Sequence, residues 1–599
     1  MRSLLAFTVT ALSLGAPALS KLYQSITDLK QTHYDYVIVG GGTAGSVVAA
    51  RLSEDEKNKV LVIEAGVDNA NIQNIIVPFL GVQALNTLVD WNYTSTPQVG
   101  MKNRTIPLAR GHVLGGSSSI NYMTWNRGSN DVWDTFAKLS GDDGWSWNNV
   151  EKYNSEVSRL VAPADGHNTS GQIIPSAHGN GPVEVSLPGF AQELEPKVLQ
   201  TSKELGGRFR YNEDFNAGDM IGIGYVQSSI GHGERSSSAT AYLVPALGRD
   251  NLDVVVNSRA VKIRASKKAP DGGNTTIDTV EIAQSATGPR FNVTATKEVI
   301  LSGGVFGSPQ LLMLSGIGPK EELDKLGVPV VLDSPDVGRN LMEHPLLSVY
   351  YTVNSNNTFD DVIRDPSAAS VLLEQWKNNR TGLMVLPAAG NTAAFMKNPD
   401  NFTVDGTPAG FDPSTGPRSG NTEIIFVNGF AALGPQTQPT EGHFMTVIGG
   451  VVSPTSRGTF TLNSTNPFDY PIIDPQLLTT NYDVQTMLQV MRDVDTFVAQ
   501  PAWKDYVIKP LREFVDDADR EDYIRANSVT INHCVGTARM GPGGVENGVV
   551  DGQLRVKGVN GLRIVDASIY PIIPENHPQA AAYILGERIA DLIKSGKSY

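Results

Sequence analysis

The chain is almost devoid of cysteine: Cys534 is the only one among 599 residues. No intrachain disulfide can form, so stability must come from the size of the core, which a chain of this length can supply. Metal-ligand spacing is missing as well, because the nine histidines show neither H-x-x-x-H nor Cys/His pairing, and no metal site is expected. Positive charge is in deficit, with a formal net charge of −14, which argues against nucleic acid as a partner. Past the N-terminus no run is long and apolar enough to span a bilayer, and Lys594–Tyr599 is no apolar lipid-anchor tail. There are no tandem repeats or low-complexity tracts. The run Ser117–Ser119 is not the G-x-S-x-G elbow of a hydrolase nucleophile.

What is present is an ordinary globular composition, 40% apolar and 18% charged, long enough for more than one domain. Arg2, the apolar stretch Leu4–Ala16 and the small residues Ala18-Leu-Ser20 read as a secretory signal over 1–20. Nine N-x-S/T sequons, at Asn92, Asn103, Asn168, Asn274, Asn292, Asn356, Asn379, Asn401 and Asn463, fit that route. A secreted, extracellular, monomeric protein with no membrane association is expected.

The most informative stretch is Tyr34-Asp-Tyr-Val-Ile-Val39 running into Gly40-Gly-Gly42-Thr-Ala-Gly45. A short apolar strand ends in G-x-G-x-x-G. Ala44, Val47, Val48 and Leu52 follow at helical spacing, and a second strand, Val60–Ile63, ends on Glu64. This is a complete βαβ dinucleotide fingerprint. Gly40 permits the tight turn, Gly42 lets the backbone approach a pyrophosphate, and Gly45 lets helix and strand pack. The helix start favours phosphate, and Glu64 is placed to accept from a ribose diol.

Further strand-like runs stand at Val254–Val256, Val299–Leu301 and Leu562–Val565, the last before Asp566-Ala567. Pro578 suits the first turn of a final helix reaching about Ile593. The intervening regions are rich in turns and carry strands such as Ile424–Phe426 and Phe444–Ile448. The predicted organisation is an α/β (α+β overall) chain. A discontinuous dinucleotide-binding domain covers 34–150, 226–340 and 530–599; a substrate domain built on an antiparallel sheet covers 151–225 and 341–529.

Three more blocks carry chemistry: Arg110–Ser129 with its Gly115-Gly-Ser-Ser-Ser119 core, Gly307–Pro319, and the C-terminal Asn532-His533-Cys534 and Asn576-His577-Pro578-Gln579. Together with the fingerprint, Arg235–Tyr242 and Val337–His344, they resemble the glucose–methanol–choline (GMC) oxidoreductases from about Tyr34 to Leu592. Asp90–Thr94, His167–Gly171 and Asn466–Asp469 look most like fungal aryl-alcohol oxidases and their pyranose-dehydrogenase relatives. The resemblance implies a Rossmann-like FAD domain. Gly40, Gly42, Thr43, Ala44, Gly45, Glu64 and Ala65 would hold the ADP half, and Val261 would contact adenine through its backbone. Gly115, Gly116, Asn121, Tyr122 and Gln579 would lie on the ring side, and Asp566 and Ala567 by the pyrophosphate and ribityl chain. Some relatives bond FAD covalently through a histidine where this chain has Ile120, so non-covalent FAD is expected.

Oxidising an alcohol requires a base for the hydroxyl proton and an acceptor for the hydride. Imidazole suits the first and flavin N5 the second. His533 resembles the family's base and His577 the partner that hydrogen-bonds the substrate oxygen. Cys534 has no basic partner suited to a nucleophile and reads as a small buried thiol. His112 and His344 read as structural or near the flavin, and Tyr122, Trp125, Phe426 and Phe430 as a candidate aromatic lining. Two departures touch the substrate. Aryl-alcohol oxidases usually carry an aromatic residue before the catalytic histidine, where this chain has Asn532; glucose oxidases carry an arginine four residues before it, where this chain has Val529. The predicted substrate is a primary aryl or allylic alcohol, with a sugar as the alternative and O2 or a quinone or phenoxy radical as electron acceptor. A non-catalytic flavin-binding protein is a third, weaker reading.

Overall fold

The computed structural model describes residues 22–266, 274–387 and 390–596; the signal segment 1–20 lies outside them. Two sheets organise the chain. In the first, strands run in the order Leu22–Tyr23, Leu252–Val255, Val60–Ile63, His33–Val39, Phe291–Leu301, Thr279–Ala283 and Arg259–Arg264, with Leu562–Ile564 also paired to Phe291–Leu301. The pairs from Leu22 to Phe291 and the Leu562 pair are parallel; the last two are antiparallel. Towards their carboxyl ends the central parallel strands are apolar runs, as a sheet covered on both faces requires, and Val37, Ile38, Leu61, Val62, Ile300 and Ile564 are all buried. Their carboxyl ends open in one direction, so Gly40, Glu64, Ser302 and Asp566 arrive along one edge of the sheet.

The fingerprint glycines behave as their spacing demands. Gly40 has φ +105°, and a Cβ there would stand 2.2 Å from the Ser302 carbonyl oxygen. A Cβ on Gly45 would stand 2.1 Å from the Gly40 oxygen, so the helix Thr43–Leu52 rests directly on the turn. The final helix, Gln579–Ser595, crosses this one closely at Gly586 and Val47 and is tied to it by an Arg51–Glu587 ion pair of 2.8 Å. Pro578 stands at its cap, one position before the first helical residue.

The second sheet is antiparallel, in the order Val507–Pro510, Pro345–Val353, Phe444–Val451, Thr422–Val427, Thr392–Met396 and Gly222–Tyr225. A short strand, Val529–Thr530, joins it beside Pro345–Leu346. Both faces are covered, so Thr422–Val427 and Phe444–Val451 are buried along their whole length. The helix Asn481–Val498 packs its apolar face over them through Val490, Met491 and Val494.

Candidate active site

A cavity of about 550 Å3 runs from the fingerprint to the two C-terminal histidines. Gly40, Gly42, Thr43, Ala44, Glu64 and Ala65 line one part of it; Gly116, Asn121, Tyr122, Asp566, Ala567 and Gln579 line the middle, and His533 and His577 line it as well. Two predicted cofactor residues support the wall instead of forming it. Gly45 lies under the first turn, and Gly115, at φ +83°, donates its N–H to the Gly41 oxygen at 2.7 Å. Val261 sits at a bulge between Ala260 and Lys262, one residue beyond the lining positions Ser258, Arg259 and Ala260.

The residues fit a dinucleotide. Gly42 has an ordinary β-region backbone, φ −79° and ψ −163°, and a Cβ there would meet nothing closer than 3.8 Å. Neither strain nor a protein neighbour demands glycine at this position, but it lines the cavity at a helix start, where a side chain would occupy the space of a phosphate. Glu64 accepts from Gly41 N at 2.8 Å and from Gly66 N at 2.7 Å. Burial pushes its carboxyl up to about 7 despite those two donors. The Asp566 carboxylate is consumed by Gly304 N, Ser308 Oγ and Ser568 N, so its part is to fix the turn that presents Ala567 to the cavity.

The Gly115–Ser119 loop is pinned from behind by Arg235. This fully buried guanidinium donates from Nη1 to the Asn121 oxygen at 2.8 Å and to Asn121 Oδ1 at 2.9 Å, and from Nε to the Ile75 oxygen at 2.7 Å. No carboxylate among the described residues pairs with it, and burial lowers it to about 9. Asn121 Nδ2 in turn donates to Gln579 Oε1 at 2.9 Å, which links the loop to the final helix. Burial raises the Tyr122 phenol to about 12.

The two imidazoles face each other edge-on, with ring centroids 4.7 Å apart and planes at 78°. His577 is held by a backbone N–H bond to Asn126 Oδ1 at 3.0 Å and by its Nε2, 2.7 Å from Glu423 Oε1. A carboxylate only accepts, so the proton of that bond is on Nε2. His533 is held differently: its backbone N–H donates to Glu343 Oε1 at 2.8 Å, and its Nδ1 lies 3.1 Å from His344 Nδ1. Burial, then His577, His344 and Arg110, hold the His533 ring well below the usual imidazole range. At neutral pH it is an uncharged proton acceptor.

Other sequence expectations sort plainly. Cys534 is buried and donates to Glu343 Oε2 at 2.9 Å, and burial and that carboxylate push the thiol far up. His112 packs against Trp91, ring centroids 4.2 Å apart. Of the four candidate lining aromatics, only Tyr122 reaches the cavity. Trp125 packs on Tyr583, Phe426 on Phe497, and Phe430 stacks on Tyr350 at 4.2 Å; these three are core, and of them only Phe426 lies in a strand, whose pattern cannot say which face of a fully covered sheet meets a cavity. The sequence does not single out Glu343, Glu423, Asn126 or Arg235, and His344 reads there only as structural or near the flavin. Val337–His344 and Arg235–Tyr242 were already conspicuous as blocks, and that was the available signal.

A family model described as GMC oxidoreductase matches residues 34–346, and a second of the same description matches 454–586. Dehydrogenase eriK of Hericium erinaceus is 36% identical, covering 97% of this chain and 98% of its own. Pyranose dehydrogenase 3 of Leucoagaricus meleagris is 35% identical, covering 96% and 95%. Among solved structures, formate oxidase of Aspergillus oryzae RIB40 superposes with a TM-score of 0.84 at 30% identity, covering 94% and 98%. A fungal aryl-alcohol oxidase gives 0.81 at 26%, covering 94% and 99%.

Two outcomes follow from the cofactor end of the site. Gly42→Ala should leave the unfolding midpoint of the flavin-free protein unchanged or slightly higher, since the backbone accepts alanine, while the dissociation constant for FAD rises at least tenfold; calorimetry on both forms measures each. Glu64 keeps its proton in the folded state up to about pH 7, whereas an unfolded glutamate loses it near 4.3. Between those values the unfolded chain binds fewer protons, so flavin-free stability should fall as pH rises through the window and level off above it, by at most roughly 4 kcal/mol. Denaturant midpoints at about pH 5 and pH 8 should show that slope reduced in Glu64→Gln.

Proposed function

The chain belongs to the GMC oxidoreductase family, and on that premise we propose that it oxidises a primary alcohol to the aldehyde with FAD held non-covalently in the cavity. The observation that carries the reading is the imidazole pair: a neutral His533 and a carboxylate-bound His577, 4.7 Å apart, on the same cavity as the dinucleotide fingerprint. Bound there, FAD supplies the two-electron acceptor for a carbon-bound hydride. His533 takes the hydroxyl proton. His577, with Nε2–H donated to Glu423, has Nδ1 left for the substrate: a bare nitrogen in the neutral ring, and a donor to the substrate oxygen once the ring takes up a second proton with Glu423 as its counter-ion. Ile120, at the position where a histidine would be needed for a covalent tether, offers no nucleophile; acid precipitation should therefore leave a colourless pellet and a yellow supernatant.

The approach to the histidines supports an aryl or allylic alcohol. Val529 and Ile531 precede His533 and line the cavity with Leu346, Ile425 and Ile448; Leu346 pairs with Val529, and Ile425 with Ile448. Asn532, the residue that suggested a polyol, turns its side-chain oxygen to accept from Ala109 N at 2.8 Å. Kinship with a pyranose dehydrogenase at 35% identity favours a second reading, a sugar oxidised with a quinone as acceptor. The signal-like segment and sequons support export as a secreted, glycosylated protein, and a monomer is proposed; peptide-N-glycosidase treatment and light scattering of culture-fluid protein test these.

His533→Ala should retain bound flavin while anaerobic reduction by the best substrate slows by at least about 10²-fold, the usual worth of a positioned base; near-normal reduction removes His533 from the reaction. Anisyl alcohol, 5-hydroxymethylfurfural, glucose, cellobiose and a short-chain alcohol, each with O2 and with benzoquinone, should give highest turnover with the aryl or allylic alcohols. Faster turnover of the sugars establishes the second reading, and no turnover at all would leave a binding protein.

A further inference from the structure

His344 has no part in the chemistry described so far, yet its ring contacts the His533 ring at Nδ1. Two stretches far apart in the chain run side by side here. Pro345 and Leu346 pair with Thr530 and Val529, and Met342 and Val535 exchange backbone hydrogen bonds at 3.1 and 3.0 Å. Between these two anchors, Glu343 and His344 stand opposite Ile531 to Cys534. Glu343 takes the backbone N–H of His533 and the thiol of Cys534, and His344 meets the His533 ring, Nδ1 to Nδ1 at 3.1 Å. His533 lines the cavity and His344 does not, so His344 holds the Nδ1 side of the His533 ring against the protein.

One proton lies between those two nitrogens, and which ring owns it decides whether His533 can act as a base. If His344 donated, a neutral His533 would carry its own proton on Nε2 and could accept nothing from an alcohol. The surroundings of His344 point the other way. Its Nε2 is buried and makes no hydrogen bond that would choose the tautomer; the choice comes from the Val452 carbonyl, an acceptor that favours a proton on the ring, and from His533 itself, whose role as base requires a bare Nε2. A proton on Nε2 leaves His344 Nδ1 as a lone pair. The donor is then His533 Nδ1–H, and His533 Nε2 is bare.

We propose that His344 is a positioning residue that fixes the catalytic tautomer of His533, accepting its Nδ1 proton so that Nε2 is the bare nitrogen offered to the alcohol. In the step it serves, the substrate O–H bond breaks and an N–H bond forms at His533 Nε2; the Nδ1 proton stays where it was, hydrogen-bonded to His344. The inference rests on His533 being the base. Tautomer control of this kind is ordinarily supplied by a carboxylate; here a neutral ring does it, which leaves no anion beside the bare nitrogen.

The test uses the flavin-loaded enzyme in three versions. His344→Leu fills the space without an acceptor, while His344→Asn places Oδ1 where Nδ1 stood. Ring-15N histidine spectra of the wild type should show His533 protonated at Nδ1, and in His344→Leu a shift toward the Nε2 tautomer. Flavin reduction in His344→Leu should slow by about 10²-fold with the substrate dissociation constant unchanged, and His344→Asn should restore it to within about tenfold. The groups that face His533 and could shape a pH profile are His577, His344 and Arg110 on its ring and Glu343 at its backbone; the Leu effect should persist across pH, since it is a loss of tautomer and not of charge. An Nε2 tautomer in the wild type overturns the inference, as does wild-type reduction by His344→Leu, or Asn no better than Leu. Should His344→Leu fail to fold, the wild-type spectrum and the Asn variant still decide. Failure of the base assignment looks different: His533→Ala would then reduce flavin normally, whatever the tautomer.

Discussion

The strand Phe291–Leu301 is the constraint on which the site depends. Eleven residues long, it pairs with His33–Val39 along one side and with Leu562–Ile564 along the other. The start and the end of the chain are thereby locked in register on either flank of one ribbon, and their turns, Gly40–Gly42 and Asp566–Ala567, emerge at the same edge. The Ser302 carbonyl at the ribbon's own end then fills the space where a side chain on Gly40 would go. A cleft at the carboxyl ends of parallel strands is where open α/β sheets bind nucleotides; here it also gathers elements more than five hundred residues apart.

How much of this is legible in the sequence depends on how local each piece is. The fingerprint reads directly because all of it, from Tyr34 to Glu64, is one βαβ unit whose glycines answer to nearby backbone. His533 and His577 read through their neighbours, and the structure brings their rings to 4.7 Å. The partners that make them different are illegible for a physical reason. Glu423 reaches His577 from the second position of a fully buried strand, and Glu343–His344 reaches His533 through strand pairing across some 190 residues. Nothing in either segment's periodicity announces that register. The aromatic candidates failed in the same way, since Phe426 sits in a strand buried on both faces and its ring lies on the side away from the cavity.

The two imidazoles therefore stand in unlike surroundings. One is backed by a carboxylate that fixes a proton on Nε2; the other is backed by a second imidazole, and its backbone is pinned by a carboxylate that never touches the ring. Burial reinforces the contrast, because it keeps the His533 and His344 rings uncharged. Acid–base work in a dry site needs such an asymmetry, with one group ready to receive a proton and its neighbour arranged to meet the oxygen that loses it.

The solitary thiol has its own consequence. Sulfur is attacked by peroxide or exchanged with other sulfur compounds chiefly as its anion. Cys534, directly next to His533, is nearly fully buried where it lines the cavity, and it is hydrogen-bonded to a carboxylate that opposes ionisation. Whatever oxidising species passes through the adjacent chamber, the one place on the backbone where sulfenic acid or a mixed disulfide could form is chemically quiet. With no second cysteine to mispair, the polypeptide can also recover its shape after unfolding without any thiol reshuffling.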